Sequence, residues 1–559
     1  MDLRIINKVS IIGSISIAIF YFIIFFQYSI NAPIWDEYYT VIEFFNQFLE
    51  LHSFTEKLIS FFTFQHNGHR LFLDNILLIG HYYVTGFVNF QALTFLGNCM
   101  LIGIVALLFK QFLTDAKGRW MVLPVTVLVI NFQYYQNTFM EIASIQFFGV
   151  ILLVFLSLTL LLHNKPVYFI TAILTGALGL FTGGNGPLLL PIGTLLLISL
   201  KEYKKSVVWF FVFGAFTLLY THNLKKGWGT TDISLIENLF FNFSDVFIFF
   251  CQSLSGPLYP FFHSEVVITI CGIFILIGSV YLIVKLLVSK DYLLLAFLLT
   301  ILATLFLIAI SRLQIAKPIE SRYNIYGSIL YSLLFIAFFR VRNKQASTIL
   351  IVSSYALVLF YFIMSYVVQL PYIQNWYERA AINQTCIMSN PSVGYGYRCP
   401  EQGYAKELLA KSDSLGYYSH KTEQSCGFSF GENDFTVLKE SEGKLINDNS
   451  IIGLGGFQKT DEFILFDGWC ILTKDNHPEN DRFLVLTNIV NGNSYVFSTH
   501  KVIYPGIDFS QKTTHDYVGF EKVLSPNQLP KGTYSLGVLV RSFTTKKEYY
   551  KFLHKKITI

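Results

Sequence analysis

Charge is scarce in this chain: Asp, Glu, Lys and Arg together make up 14% of 559 residues. CxxC and HExxH patterns are absent, and no third ligand at a clear spacing joins His66 and His69, so no metal site is expected. The glycine-rich TGGNG at 182 lacks the lysine and the spacing of a phosphate-binding P-loop. No basic stripe alternates with aromatics, so no nucleic-acid partner is expected, and the net charge of +5 reads as topology signal.

What the chain has instead is apolar surface. Hydrophobic residues make up 53%, with 56 Phe and 33 Tyr, and the mean hydropathy is +0.50. This is the composition of an integral membrane protein. A spanning helix needs about 20 mostly apolar residues. Candidates lie at 8–28, 90–110, 120–135, 142–162, 167–181, 187–200, 206–221, 264–285, 292–311, 323–339 and 346–370, about eleven in all. The run 71–86 is shorter and carries Asp74 and His81, which suits a re-entrant or interfacial helix. The first run lacks a small-residue cleavage site and is read as retained.

Basic clusters at the N-terminus, 110–119, 163–165, 201–205, 285–290 and 340–344 all fall on one side of this span list. That side is assigned to the cytoplasm. The opposite side receives 29–70, the turns after 135, at 182–186 and at 312–322, the loop 222–260 and everything after about 371. Residues 371–450 read as a linker with short helices. From 451 to 559, short alternating stretches broken by Gly, Pro, Asn and Asp predict an extracytoplasmic β-sandwich. Cys386 and Cys399 would suit a local disulfide in an oxidising compartment, and Cys470 a buried thiol.

Polar groups at membrane depth are costly, so their positions inform. On the outer side they are WDEYY at 35, HNGHR at 66, QNTFMEIASIQF at 136, TGGNG at 182 and SRLQIAKPIESRY at 311. Residues 37–64 predict an amphipathic helix on the interface, with Glu37 at its N-cap. Asp36, at the junction of span and surface helix, is the candidate general base. Arg70, Arg312 and Arg322 can bind a phosphate bidentately or merely snorkel to headgroups. Asn137 and Glu141 share a helix face suited to sugar hydroxyls or to interhelical hydrogen bonds, and Asn185 sits in what is equally a plain turn.

Taken in order, WDEYY, HNGHR, QNTFMEIASIQF, SRY opening a late span and a β-rich tail with DGWC resemble bacterial membrane-embedded glycosyltransferases of the GT-C fold, of the surface-polysaccharide and O-antigen type. This chain has Gly68 where the pattern often has an acid. The resemblance implies a multi-pass protein of the bacterial inner membrane, with a cytoplasmic N-terminus and a periplasmic or extracellular C-terminal domain. It implies transfer of a sugar from a polyprenyl-phosphate carrier to an extracytoplasmic glycan acceptor, inverting and without a metal or other cofactor; the absence of DxD agrees. Asp36 would be the base. Arg322, Arg312, Arg70, His66 and His69 would hold the lipid phosphate, and Glu37, Asn137, Glu141 and Asn185 the acceptor or sugar. The alternatives are a repeat-unit polymerase, or a transporter or flippase of a lipid-linked sugar. No internal repeat or matched pair of broken helices favours the last.

Overall fold

The computed structural model describes residues 3–115, 118–225, 240–262, 264–313, 320–342, 347–389, 402–418, 436–438, 451–459, 464–471, 481–502, 519–524, 529–541 and 548–559. Two compact units emerge, Met1–Ile373 with Glu407–His420, and Gln374–Lys406 with Lys421–Ile559.

All eleven predicted apolar runs of the first unit are helical. Among the described residues, seven helices are long and apolar enough to cross a membrane: Arg4–Tyr28, Phe90–Phe112, Glu141–Leu160, Glu265–Ser289, Tyr292–Arg312, Ser321–Val341 and Thr348–Gln374. Arg119–Val129, Pro166–Thr182 and Gly186–Ser199 are apolar but shorter. The first of these stops early because side chains take over its last carbonyls. Asn131 Nδ2 donates to the Leu128 carbonyl at 2.9 Å, and the buried Tyr134 hydroxyl to that of Val129. Three spans form the centre, with 72%, 67% and 61% of their apolar windows buried at Glu141–Leu160, Tyr292–Arg312 and Ser321–Val341, against 22% at the peripheral Arg4–Tyr28 and Glu265–Ser289. Phe155 and Phe297 stack between the first two of these, ring centroids 3.9 Å apart.

The stretch 37–64 is not one helix. A π-helical turn, Tyr38–Glu43, runs into the helix Phe44–Glu50, whose Phe44, Phe45, Asn46 and Phe48 are buried. The chain then breaks and restarts as Phe54–Thr63. The break has a local cause. Ser53 accepts from the Glu56 backbone N–H at 3.1 Å while the Glu56 carboxylate accepts from the Ser53 N–H at 3.2 Å, a capping box that starts a new helix. This second helix turns Phe54, Leu58, Ile59 and Phe62 outward.

The expected linker contributes to the first unit through 407–418. The Tyr417 hydroxyl lies 2.9 Å from Asn46 Oδ1 and 3.1 Å from the Ile42 carbonyl, and Asn46 donates to the Leu408 carbonyl at 3.0 Å. Val88 N–H donates to the Tyr417 carbonyl at 2.7 Å, and Lys411 pairs with Glu50 at 2.7 Å. Tyr417 packs edge-on against Phe45.

Among its described residues, the second unit holds two antiparallel sheets. One orders its strands Glu548–Thr558, Thr533–Arg541, Asp481–Asn488, Ser494–Ser498 and Thr436–Leu438. The other orders Ile451–Lys459, Ile464–Ile471, Gly519–Leu524 and His500–Val502. Phe466 and Leu524 of the smaller sheet share one apolar cluster with Leu484, Leu486, Phe497, Tyr534, Leu536 and Ile557 of the larger. Cys399, Cys426 and Tyr504 lie outside the described residues, as do the side chains of Cys386, Trp469 and Cys470.

Candidate functional site

HNGHR is a β-hairpin. Gln65–His66 pairs with His69–Arg70, and Asn67 and Gly68 take φ of 52° and 79°. Asn-Gly is the usual pair for a type I′ turn, which needs positive φ at both central residues. His66 and His69 are directly opposed across the two strands, so their side chains leave from one face.

That face gathers an acid and two arginines. His66 Nε2 lies 3.6 Å from Asp36 Oδ1, and the His66 ring stacks on Tyr39. His69 Nε2 lies 3.0 Å from Arg312 Nη2. Arg322 interacts electrostatically with Asp36 and with His69, and pairs with Glu320 at 2.7 Å. Gly184 completes the wall: a Cβ on it would sit 3.0 Å from His69 Cε1 and 3.2 Å from Nδ1. Asp36, His66, His69, Arg312, Arg322 and the TGGNG turn thus converge, although they come from four separate parts of the sequence. Lys317 lies outside the described residues.

Asp36 and Glu37, adjacent in sequence, part company in the structure. The Asp36 side chain is 43% exposed, whereas Glu37 is 1% exposed. Glu37 does not cap the helix it precedes. Its carboxylate accepts from the Ile34 N–H at 2.6 Å and from the Glu141 and Ile142 N–H groups, which open the span Glu141–Leu160. It therefore caps a helix 104 residues away. Burial pushes its pKa up to about 8, against the opposing pull of those three N–H groups. On the other flank of Asp36, Trp35 holds a left-handed φ of 53°, an uncommon state for a bulky residue.

The remaining predicted contacts have other duties. Arg70 is 8% exposed and gives its guanidinium to four backbone carbonyls, Phe62 at 2.8 Å, Tyr220 at 3.0 Å, Leu219 at 3.4 Å and His222 at 2.7 Å. It caps the C-terminal end of the helix Tyr203–Thr221 rather than facing the two other arginines. Asn137 is fully buried and donates to the Arg322 carbonyl at 3.1 Å, fixing the start of that span. Asn185 Nδ2 reaches Thr304 and Tyr326 hydroxyls, each at 3.4 Å. Glu141 is 1% exposed and feels the charges of Asp74 and Glu37. The carboxylate oxygens of Glu141 and Asp74 make no hydrogen bond among the described residues. Glu37, Asn137 and Glu141 are thus enclosed supports, with no face open to an acceptor sugar.

His69 is also held toward its neutral form. Burial, with Arg312, His66 and Arg322 adding to it, pushes its pKa down to about 4. Sequence reasoning missed Glu320, the acidic partner of Arg322; Asp74, which stood out as an acid inside an apolar run, is buried.

Comparisons of this chain with family models, with curated proteins and with solved structures find no match.

Proposed function

We propose that this chain is a membrane glycosyltransferase of the GT-C type, working at the outer face of a bacterial inner membrane, with the two-sheet C-terminal unit as an accessory sandwich. What supports the reading is one juxtaposition: an exposed carboxylate, Asp36, beside His66 of a hairpin whose other histidine, His69, meets Arg312 and feels Arg322.

Asp36 takes the proton of an acceptor hydroxyl as that oxygen bonds to the anomeric carbon. The carbon–oxygen bond to the carrier phosphate breaks with its electron pair, and the phosphate leaves with an added negative charge. Arg322 and Arg312 stabilise that charge, Arg322 being held in aim by Glu320. A single displacement inverts the anomeric centre. His66 orients Asp36 from 3.6 Å.

The test uses purified protein, a radiolabelled polyprenyl-phosphate sugar and membrane glycan. Asp36→Asn is expected to lose about 10²- to 10⁴-fold in transfer, the worth of a placed general base. Unchanged transfer by this variant removes Asp36 as base. Movement of the labelled lipid across vesicles without transfer by the wild type would make the chain a transporter.

A further inference from the structure

We propose that His69 is a neutral hydrogen-bond donor to the ligand, offering the Nδ1–H that lies beside Gly184 to a non-bridging oxygen of a lipid phosphodiester. The inference rests on the glycosyl-transfer reading for the ligand's class, and on geometry for the role of the ring.

The tautomer follows from the partner. A guanidinium has only donors, so at 3.0 Å Arg312 must donate to His69 Nε2, which therefore carries the lone pair. The ring proton is then on Nδ1. That atom is buried and makes no hydrogen bond among the described residues, an arrangement that native interiors rarely leave unanswered. Beside it the chain has glycine. A Cβ at Gly184 would stand 3.0 Å from Cε1 and 3.2 Å from Nδ1, crowding the ring edge that carries this N–H. Gly184 carries no positive φ, so backbone conformation does not require glycine there; the close approach of the ring does. The arginines on either side select an anion. Arg312 holds the ring by hydrogen bond and Arg322 acts on it through space. The ring thereby adds a directional donor where a third cation would be repelled.

Two neutral amides separate the two ring nitrogens. His69→Asn keeps a donor near the Nδ1 position and loses the acceptor for Arg312. His69→Gln keeps a group near Nε2 and loses the donor. The probe is farnesyl methyl phosphate, a polyprenyl phosphodiester of fixed single charge, titrated into detergent-solubilised full-length protein by calorimetry. His69→Asn is expected to bind within about threefold of wild type, while His69→Gln and Gly184→Ala, with unchanged melting, weaken binding about tenfold or more, as for a lost hydrogen bond to a charged group. Retention by His69→Gln with loss in His69→Asn would reduce His69 to a brace for Arg312 and overturn the proposal. Equal behaviour of the two amides overturns it as well. Full displacement of the probe by equimolar inorganic phosphate would overturn the lipid assignment. Probe binding without sugar transfer by the wild type sinks the glycosyl-transfer reading and leaves the donor role standing; no probe binding by the wild type sinks both.

Discussion

Arg70 offers the sharpest separation between what its sequence position suggests and what its side chain does. As a third phosphate-binding arginine it would matter to the ligand and little to the fold; as a cap on four carbonyls the reverse holds. Hydrogen bonds to a charged group contribute about 1.5–3 kcal/mol each. The bonds to Phe62 and His222 are short, that to Tyr220 ordinary and that to Leu219 long. Carbonyls at helix ends regain some water on truncation, so the loss is smaller than the sum, about 3–5 kcal/mol including a helix-dipole share of about 0.3–1 kcal/mol. At about 1–2 °C per kcal/mol for a unit this large, Arg70→Ala should melt roughly 3–10 °C below wild type. Arg70→Lys, with three donors and no fork, should recover about half. The assay is fluorescence-detected unfolding in detergent, with farnesyl methyl phosphate binding measured well below the transition. Melting within about 1 °C of wild type together with a tenfold loss of probe binding would refute the reasoning and return Arg70 to the ligand.

Two further perturbations test the supports of the site. Glu37 binds its proton more tightly folded than unfolded, with a pKa of about 8 against an ordinary 4.5, so its stabilisation is full below the unfolded value and fades as pH rises toward 8. His69 has the opposite sign: at about 4 against 6.5, it releases its proton on folding, and its contribution is lost as pH falls through that window. The two oppose each other in acid, and above about pH 6.5 only Glu37 remains. Melting temperature should therefore fall between about pH 6.5 and about pH 8, and Glu37→Gln should melt lower at pH 6.5 yet lose its share of that slope, the rest coming from the buried Asp74, whose pKa burial also pushes up to about 8; an undiminished slope in the variant would assign it elsewhere. Gly186→Ala should destabilise by about 1–3 kcal/mol and weaken probe binding. Its Cβ would fall 2.3 Å from the Leu180 Cα and 2.7 Å from the Gly179 carbonyl, backbone that cannot swing aside, so the turn carrying Gly184 must move. Gly80→Ala, with nothing within 4 Å, is the control expected to melt no lower than wild type.

Some of this was legible in the sequence and some was not, for physical reasons. Apolar runs announce helices because each helix must bury or lipid-cover its own length, and all eleven runs are helical. Their individual fate is less legible: Arg119–Val129 ends early through the side chains of Asn131 and Tyr134, and no hydropathy average sees a cap. The HNGHR hairpin and the break at Ser53 both carried local signatures, Asn-Gly and Ser-x-x-Glu, so these were readable and outweigh the helical periodicity of 37–64. The partner of Glu37 was not, since a carboxylate that caps any helix N-terminus looks the same whichever helix it finds. Arg70 fails for a similar reason: an arginine beside an apolar run serves lipid headgroups, a ligand or helix carbonyls equally well until the packing is known. Residues 407–418 looked like linker because their anchors, Tyr417 and Asn46, are single polar contacts across 371 residues of chain.

The separation of Asp36 from Glu37 shows why a chain so sparing of charge places two carboxylates together. A group that must accept a proton from a substrate needs an open side chain on a backbone that does not shift. Asp36 has the first, at 43% exposure. The second comes from its neighbours. Glu37 ties the following residue to Ile34 and to the start of the Glu141 span, and Trp35 holds the preceding one in a left-handed state that the surrounding packing must enforce. The Asp36 carbonyl is itself taken by the N–H groups of Tyr39 and Thr40, at 3.0 and 2.9 Å. An apolar residue at 37 would leave the N–H groups of Ile34 and Glu141 buried without an acceptor, at about 1–3 kcal/mol each, and would free the peptide carrying Asp36. The two acids therefore act as a unit, in which the enclosed one gives its oxygens to backbone N–H groups and so fixes the peptide that carries the exposed one.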